Sequence, residues 1–224
     1  MRVDLRDITI PIGDIDLGGS LATPAGATGL VMFAHGSGSS RHSPRNRHVA
    51  AMLNERGLAT LLFDLLTEDE ERIDEVDATL RFDVDMLAER LIAATDSIVA
   101  SGQSGGLPIG YFGGSTGAAA ALIAAARRPD EVVAVVSRGG RPDLASTSLA
   151  AVRAPTLLIV GGADTSVLQA NRDAAARMTA PHRIEVIPGA THLFEEPGAL
   201  DEVARLAGAW FVDQFATIRV KEAS

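Results

Sequence analysis

Two textures of hydrophobic patterning follow one another along the chain. Over the first 25 residues apolar positions alternate by twos, through Val3, Leu5, Ile8, Ile10, Ile12, Ile15 and Leu17, with Gly13-Asp14 and Gly18-Gly19 as punctuation. This alternation predicts one or two antiparallel strands at a sheet edge. From residue 30 the apolar residues come instead in short continuous runs, at 30–34, 58–63, 108–112, 132–136, 156–160 and 184–187. Continuous runs suit strands buried on both faces, as in a parallel sheet. Helix-length segments separate them, predicting helices over 45–56, 82–101, 116–128, 144–152, 167–178 and 198–215. Gly57 and Gly102 stand where C-terminal caps are expected, and Pro129 lies just beyond another stop. Strand and helix alternate six times, the pattern of an α/β protein with an open, mostly parallel sheet of about seven or eight strands. Nothing reads as a linker or a repeat, so residues 1–224 are expected to form one domain.

Composition narrows the chemistry. With 46% hydrophobic and 22% charged residues the chain is an ordinary globular protein. Its 20 basic and 29 acidic residues give a net charge of −9, which argues against nucleic-acid binding and against a basic membrane-surface protein. The absence of cysteine removes disulfides, thiolate metal sites and cysteine nucleophiles together. The start, Met1 to Asp7, alternates charges where a signal peptide would carry an apolar run. The small-apolar stretch 118–126 is about half of what a bilayer crossing requires. A soluble, cytoplasmic protein is expected. Seven acids crowd 67–77 against the single Arg72, which reads as a solvated acidic turn and helix start, with a mobile flap near a ligand site as the second reading.

Three residues carry a candidate mechanism. Gly113-Gly-Ser115-Thr-Gly117 matches G-x-S-x-G, and it lies between an apolar strand and an alanine-rich helix former. A serine on such a turn is lifted above the carboxyl edge of the sheet, at a helix N-terminus that favours developing negative charge. Its hydroxyl needs a base, and of the five histidines His192, in Gly189-Ala-Thr-His192, follows the last apolar run. The imidazole in turn needs a carboxylate. Asp164, in Gly162-Ala-Asp164 after the penultimate strand, fits; an Asx-turn or helix N-cap is its ordinary alternative, and Asp64 and Asp143 compete for the role. No two histidines share the helical spacing of a zinc protease, so neither metal nor cofactor is expected.

The chain order Ser115, Asp164, His192 is that of α/β-hydrolases. With the His35-Gly-Ser-Gly38 loop after the first parallel strand, the sequence resembles that superfamily over nearly its whole length, and within it the small, lid-less dienelactone-hydrolase-like branch. The resemblance implies a three-layer sandwich and an oxyanion hole made by the backbone N–H groups of Ser37 and Thr116, with His35 fixing the loop. Dienelactone hydrolases proper use a cysteine nucleophile; here serine-ester chemistry is the inference. Gly36, Gly38, Arg41 and Arg138 are candidate substrate contacts. Arg41 belongs to the run Arg41 to His48 and Arg138 to Ser137-Arg-Gly-Gly-Arg141, both projecting from the same sheet edge as the triad. Arginine forks there could hold a carboxylate or phosphate of the substrate, or could pair with the acidic segment, Asp64 or Asp143. The reading is a serine hydrolase of small carboxylic esters, lactones or thioesters, with a small-molecule partner, no nucleic acid and no membrane. Whether it forms a homodimer is left open. An acyltransferase and a hydrolase-fold binding protein with little turnover are the alternatives.

Overall fold

The computed structural model describes residues 2–222. The first two strands, β1 (Val3–Ile12) and β2 (Ile15–Pro24), form an antiparallel hairpin turned at Gly13-Asp14. There follow β3 (Leu30–Ala34), α1 (Pro44–Glu55), β4 (Ala59–Phe63), α2 (Glu68–Asp77), α3 (Val84–Ala100), β5 (Ile109–Gly114) and α4 (Thr116–Arg127). The chain continues through β6 (Val132–Arg138), β7 (Thr156–Gly161), α5 (Thr165–Ala175), β8 (His182–Ile187) and α6 (Ala199–Glu222). The eight strands form one sheet in the order β1-β2-β4-β3-β5-β6-β7-β8, with β2 antiparallel to β4 and every later pairing parallel.

Two cores explain the continuous apolar runs of the inner strands, whereas the run 184–187 lies in the edge strand β8, where only Ile187 is buried. Side chains of β3 alternate between the two cores: Val31 and Phe33 join Phe112, Val136, Val49, Leu53 and Phe211 beneath α1 and α6. Leu30, Met32 and Ala34 join Tyr111, Val135, Leu91 and Ala120 beneath α3 and α4. α4 is buried from Thr116 to Ala125. Its alanines are a device for close approach on all sides of an interior helix, as expected of one apolar all round. Among the described residues no helix is long and apolar enough to cross a membrane.

Two segments differ from expectation. The helix expected over 144–152 is instead two short 3-10 turns, Pro142–Ala145 and Leu149–Ala151, separated by Ser146-Thr147-Ser148. Hydroxyl side chains that compete for backbone groups favour such turns over a continued helix. The helix expected from residue 82 begins at Val84, where the Asp83 carboxylate accepts the Met86 N–H. The acidic stretch is a helix of its own, started by a capping box in which Thr67 and Glu70 bond each other's backbone amides.

Candidate active site

β5 ends at Gly114 and α4 begins at Thr116, so Ser115 alone makes the turn, with φ +51° and ψ −120°. A non-glycine residue held there is strained by about 1–3 kcal/mol and persists only if its neighbours fix it. They do: the Ser115 N–H donates to the Arg138 carbonyl at 3.2 Å, and the Ser115 carbonyl accepts from the Arg141 N–H at 3.1 Å. The loop after β6 thus grips both sides of the turn. Gly117 lets α4 start against the end of β3, since a Cβ there would collide with the Ala34 and His35 carbonyl oxygens.

The loops after β7 and β8 are joined by backbone bonds, Gly162 N–H to the Ile187 carbonyl at 2.8 Å and Ala163 N–H to the Ala190 carbonyl at 2.9 Å. Gly161 permits this contact, because a Cβ would stand 2.7 Å from the Thr191 carbonyl oxygen. Two residues far apart in sequence therefore meet: His192 Nδ1 is 2.7 Å from Asp164 Oδ2, and His192 Nε2 is 3.3 Å from Ser115 Oγ. Asp164 sits at the N-cap of α5 but makes no side-chain capping bond. Its carboxylate turns to the imidazole instead. The competing acids are engaged elsewhere, Asp64 with Arg41 and Asp143 with Arg141.

His35 is buried and bridges two loops: its Nε2 accepts the Leu65 N–H at 3.0 Å, and its Nδ1–H donates to the Gly36 carbonyl at 3.1 Å. Burial holds its pKa below the ordinary imidazole value, against the opposing pull of the Gly36 carbonyl and Asp64. The Ser37 amide departs from expectation. It is not free but donates to Thr116 Oγ1 at 3.0 Å, because the buried Thr116 hydroxyl reaches across from the head of α4. Gly36 and Gly38 border a cavity of about 390 Å³ that also exposes Ser37, Ser39, Arg45 and, from α2, Glu71 and Glu75. The acidic segment is thus the wall of a cavity, closer to its second reading in position though helical in form. Glu71 has its pKa raised by burial first, then by Asp64 and Glu75.

The arginines divide. Arg41 is committed to Asp64, which accepts both its backbone N–H at 2.7 Å and its guanidinium. It lies outside the residues lining the cavity, so its expected substrate contact is corrected: a neighbouring carboxylate already neutralises it. Arg138 is 8% exposed and has no carboxylate partner among the described residues. Burial, then the nearby Arg45, lowers its pKa to about 10. Arg141, expected as an anion contact or a partner of Asp143, pairs with Asp143, and its backbone N–H holds the serine carbonyl, a role the sequence did not signal. One supporting residue escaped the sequence reading. Glu196, four residues after the histidine, accepts the Thr191 N–H at 3.1 Å and O–H at 2.7 Å and so fixes the residue before His192. Among the described residues no cluster of three or more His, Asp or Glu could hold a metal ion.

Comparison with known proteins agrees with this architecture. A dienelactone hydrolase from Anabaena variabilis is 54% identical, with a TM-score of 0.94 over 96% of this chain and 99% of that one. Est1E from Butyrivibrio proteoclasticus shares the fold at 18% identity, with a TM-score of 0.78 over 94% of this chain and 99% of that one. A Mycobacterium tuberculosis protein provisionally named a phosphoribosyl transferase is 54% identical over 211 residues, 93% of this chain and 47% of that protein. The chain spans about half the length of the curated relatives it matches. The family model for dienelactone hydrolases matches residues 17–217. Sheet order, strand-end loops and similarity agree, and the chain belongs to the dienelactone hydrolase family.

Proposed function

We infer that this hydrolase cleaves small, polar carboxylic esters through an acyl-enzyme on Ser115. The reading rests on one observation, the continuous line from Asp164 Oδ2 through His192 to Ser115 Oγ. Asp164 accepts the Nδ1–H and so leaves Nε2 as the basic nitrogen. Ser115 Oγ attacks the ester carbonyl while its proton passes to Nε2; the carbonyl electrons become an oxyanion. Collapse expels the alcohol, which takes that proton from His192. Water then repeats the sequence and releases the acid. The Ser115–His192 distance is long for a formed bond, as is usual before substrate arrives. The Thr116 amide is the proposed oxyanion donor; the Ser37 amide, already given to the Thr116 hydroxyl, ties the loop after β3 to the head of α4. Lactones and thioesters present the same carbonyl.

The triad does not line the cavity, but Gly36 on its border lies against Ser115, and the serines, Arg45 and two glutamates that outnumber Leu66 and Leu87 there favour a polar substrate. Phosphoribosyl transfer, the name carried by the longer relatives, we assign to the part of those proteins outside the match. Steady-state kinetics with short p-nitrophenyl esters test the reading. Ser115→Ala, His192→Ala and the double variant should each lose about 10⁴-fold or more in kcat, with no further loss in the double. Additive losses would contradict a shared mechanism.

A further inference from the structure

A buried cation with no counter-ion needs a physical reason, because removing a charge from water is among the costliest steps in folding. Arg138 is such a cation. Its Nε and Nη1 are shut off from solvent and meet no acceptor. Its Nη2 lies against Gly114, where even a Cβ would stand only 2.6 Å away. The backbone of Arg138 holds the Ser115 amide, so the guanidinium sits within the serine turn itself. Among the described residues Arg138 forms no ion pair, and the nearby Arg45 adds a second positive charge. Arg45 Nε is likewise buried without a partner, and the only carboxylate paired with Arg45 among the described residues is Glu195 at 3.4 Å, 65% exposed. Of the other arginines of this rim, Arg41 and Arg141 are each matched by an aspartate, while Arg47 meets the His42 ring.

We propose that Arg138 and Arg45 together form a phosphate subsite, and that the ester cleaved at Ser115 carries a phosphate monoester on its alcohol portion. This rests on the hydrolase reading above. Two positive charges short of a counter-charge match a dianion better than a single carboxylate, with the partly exposed Arg45 supplying the guanidinium fork and Arg138 the buried charge behind it. Arg45 borders the cavity that exposes Gly36, and Gly36 lies against Gly114 and Ser115, the turn that Arg138 Nη2 also meets, so an anion held there is beside the nucleophile. In the sheet, β6 lies on the side of β5 that leads to β7 and β8, which carry Asp164 and His192. That is the side from which the leaving oxygen receives its proton, hence the assignment to the alcohol.

The test uses three butyryl esters: butyryl glycerol 3-phosphate, butyryl glycerol, and butyryl glycolate as the carboxylate-bearing control. Wild type should favour the phosphorylated ester over the neutral one in kcat/KM by roughly 10–100-fold, the scale of hydrogen bonds to a charged group. In Arg138→Met that ratio should collapse toward one. Inorganic phosphate, followed by calorimetry, should bind wild type and not Arg138→Met. Thermal unfolding of Arg138→Met should come no lower than wild type, because the variant removes a desolvated charge, and this keeps a folding defect from imitating the result. Equal activity of wild type on the phosphorylated and neutral esters overturns the subsite and leaves the esterase standing. Preference for the glycolate ester overturns the phosphate assignment. Phosphate binding lost in Arg138→Met, with no ester turned over by wild type, supports the subsite and removes the esterase.

Discussion

Replacing Gly117 by alanine should damage stability and catalysis together, and the structure sets the scale. The added Cβ would lie closer than 3.0 Å to the Ala34 and His35 carbonyl oxygens. Both are backbone atoms, Ala34 in the ladder between β3 and β5 and His35 directly after it, so neither can turn away as a flexible side chain would. Overpacking of a core costs about 1–3 kcal/mol, and an immovable neighbour puts this site at the upper end. For a chain of this size about 3 kcal/mol lowers Tm by roughly 6–12 °C. Relief requires α4 to back away from β3, which stretches the 3.0 Å bond between the Ser37 amide and Thr116. kcat on a short ester should therefore fall even at temperatures where the variant is fully folded. Differential scanning calorimetry and esterase kinetics on Gly117→Ala, with Gly19→Ala as control, check both parts. At Gly19 the nearest atoms to the new Cβ are side-chain carbons of Ile8, Ile10 and Leu61 at 3.2 Å, which can give way as backbone cannot. If Gly117→Ala unfolds no earlier than Gly19→Ala, the close approach of α4 to β3 is not what the motif's last glycine provides.

Three further outcomes follow from the site. Thr116→Val should lower kcat by about 10-fold with KM little changed, the worth of one buried hydrogen bond, and Thr116→Ser should restore it; a faster Thr116→Val enzyme would mean that the hydroxyl competes with the oxyanion for the Ser37 amide. His35 is held neutral by burial, so below about pH 6.5 the unfolded chain takes up a proton that the folded one resists, and stability should fall with pH by up to about 1.4 kcal/mol per unit until the folded-state pKa is passed. Urea unfolding between pH 7.5 and 5 should show that slope in wild type and a shallower one in His35→Gln; identical slopes would remove His35 from the acid response. Asp164→Asn should retain the fold and its Tm within a few degrees, since α5 takes no cap from this side chain, while kcat drops by about 10⁴-fold through the wrong imidazole tautomer.

The features readable in advance were those fixed by local periodicity and by position at strand ends. Uninterrupted runs such as 156–160 announced strands covered on both faces, and the order of serine, aspartate and histidine loops needed only the alternation of strands and helices to converge on one edge. Pairing through space was not readable. Arg41 and Asp64 are 23 residues apart, and although pairing with Asp64 was one of the alternatives, the sequence does not say which arginine takes it and which, like Arg138, stays unmatched. Asp164 was readable as the partner of His192 from its place after the penultimate strand, but the zipped loops after β7 and β8 that bring the two together were not. The Ser37 amide illustrates the same limit, because a threonine beside the nucleophile says nothing about which donor its hydroxyl will meet. The stretch 142–151 has helical composition at its ends, and its three central hydroxyl residues decided the outcome.

The most direct measurement is intact-protein mass spectrometry after rapid acid quench of the enzyme mixed with p-nitrophenyl butyrate. One butyryl group should appear on wild type within the first turnovers, map to the peptide containing Ser115, and clear as substrate is exhausted. Nitrophenol released at a catalytic rate with Ser115 never labelled, or labelling that persists undiminished in Ser115→Ala, would contradict the acyl-enzyme.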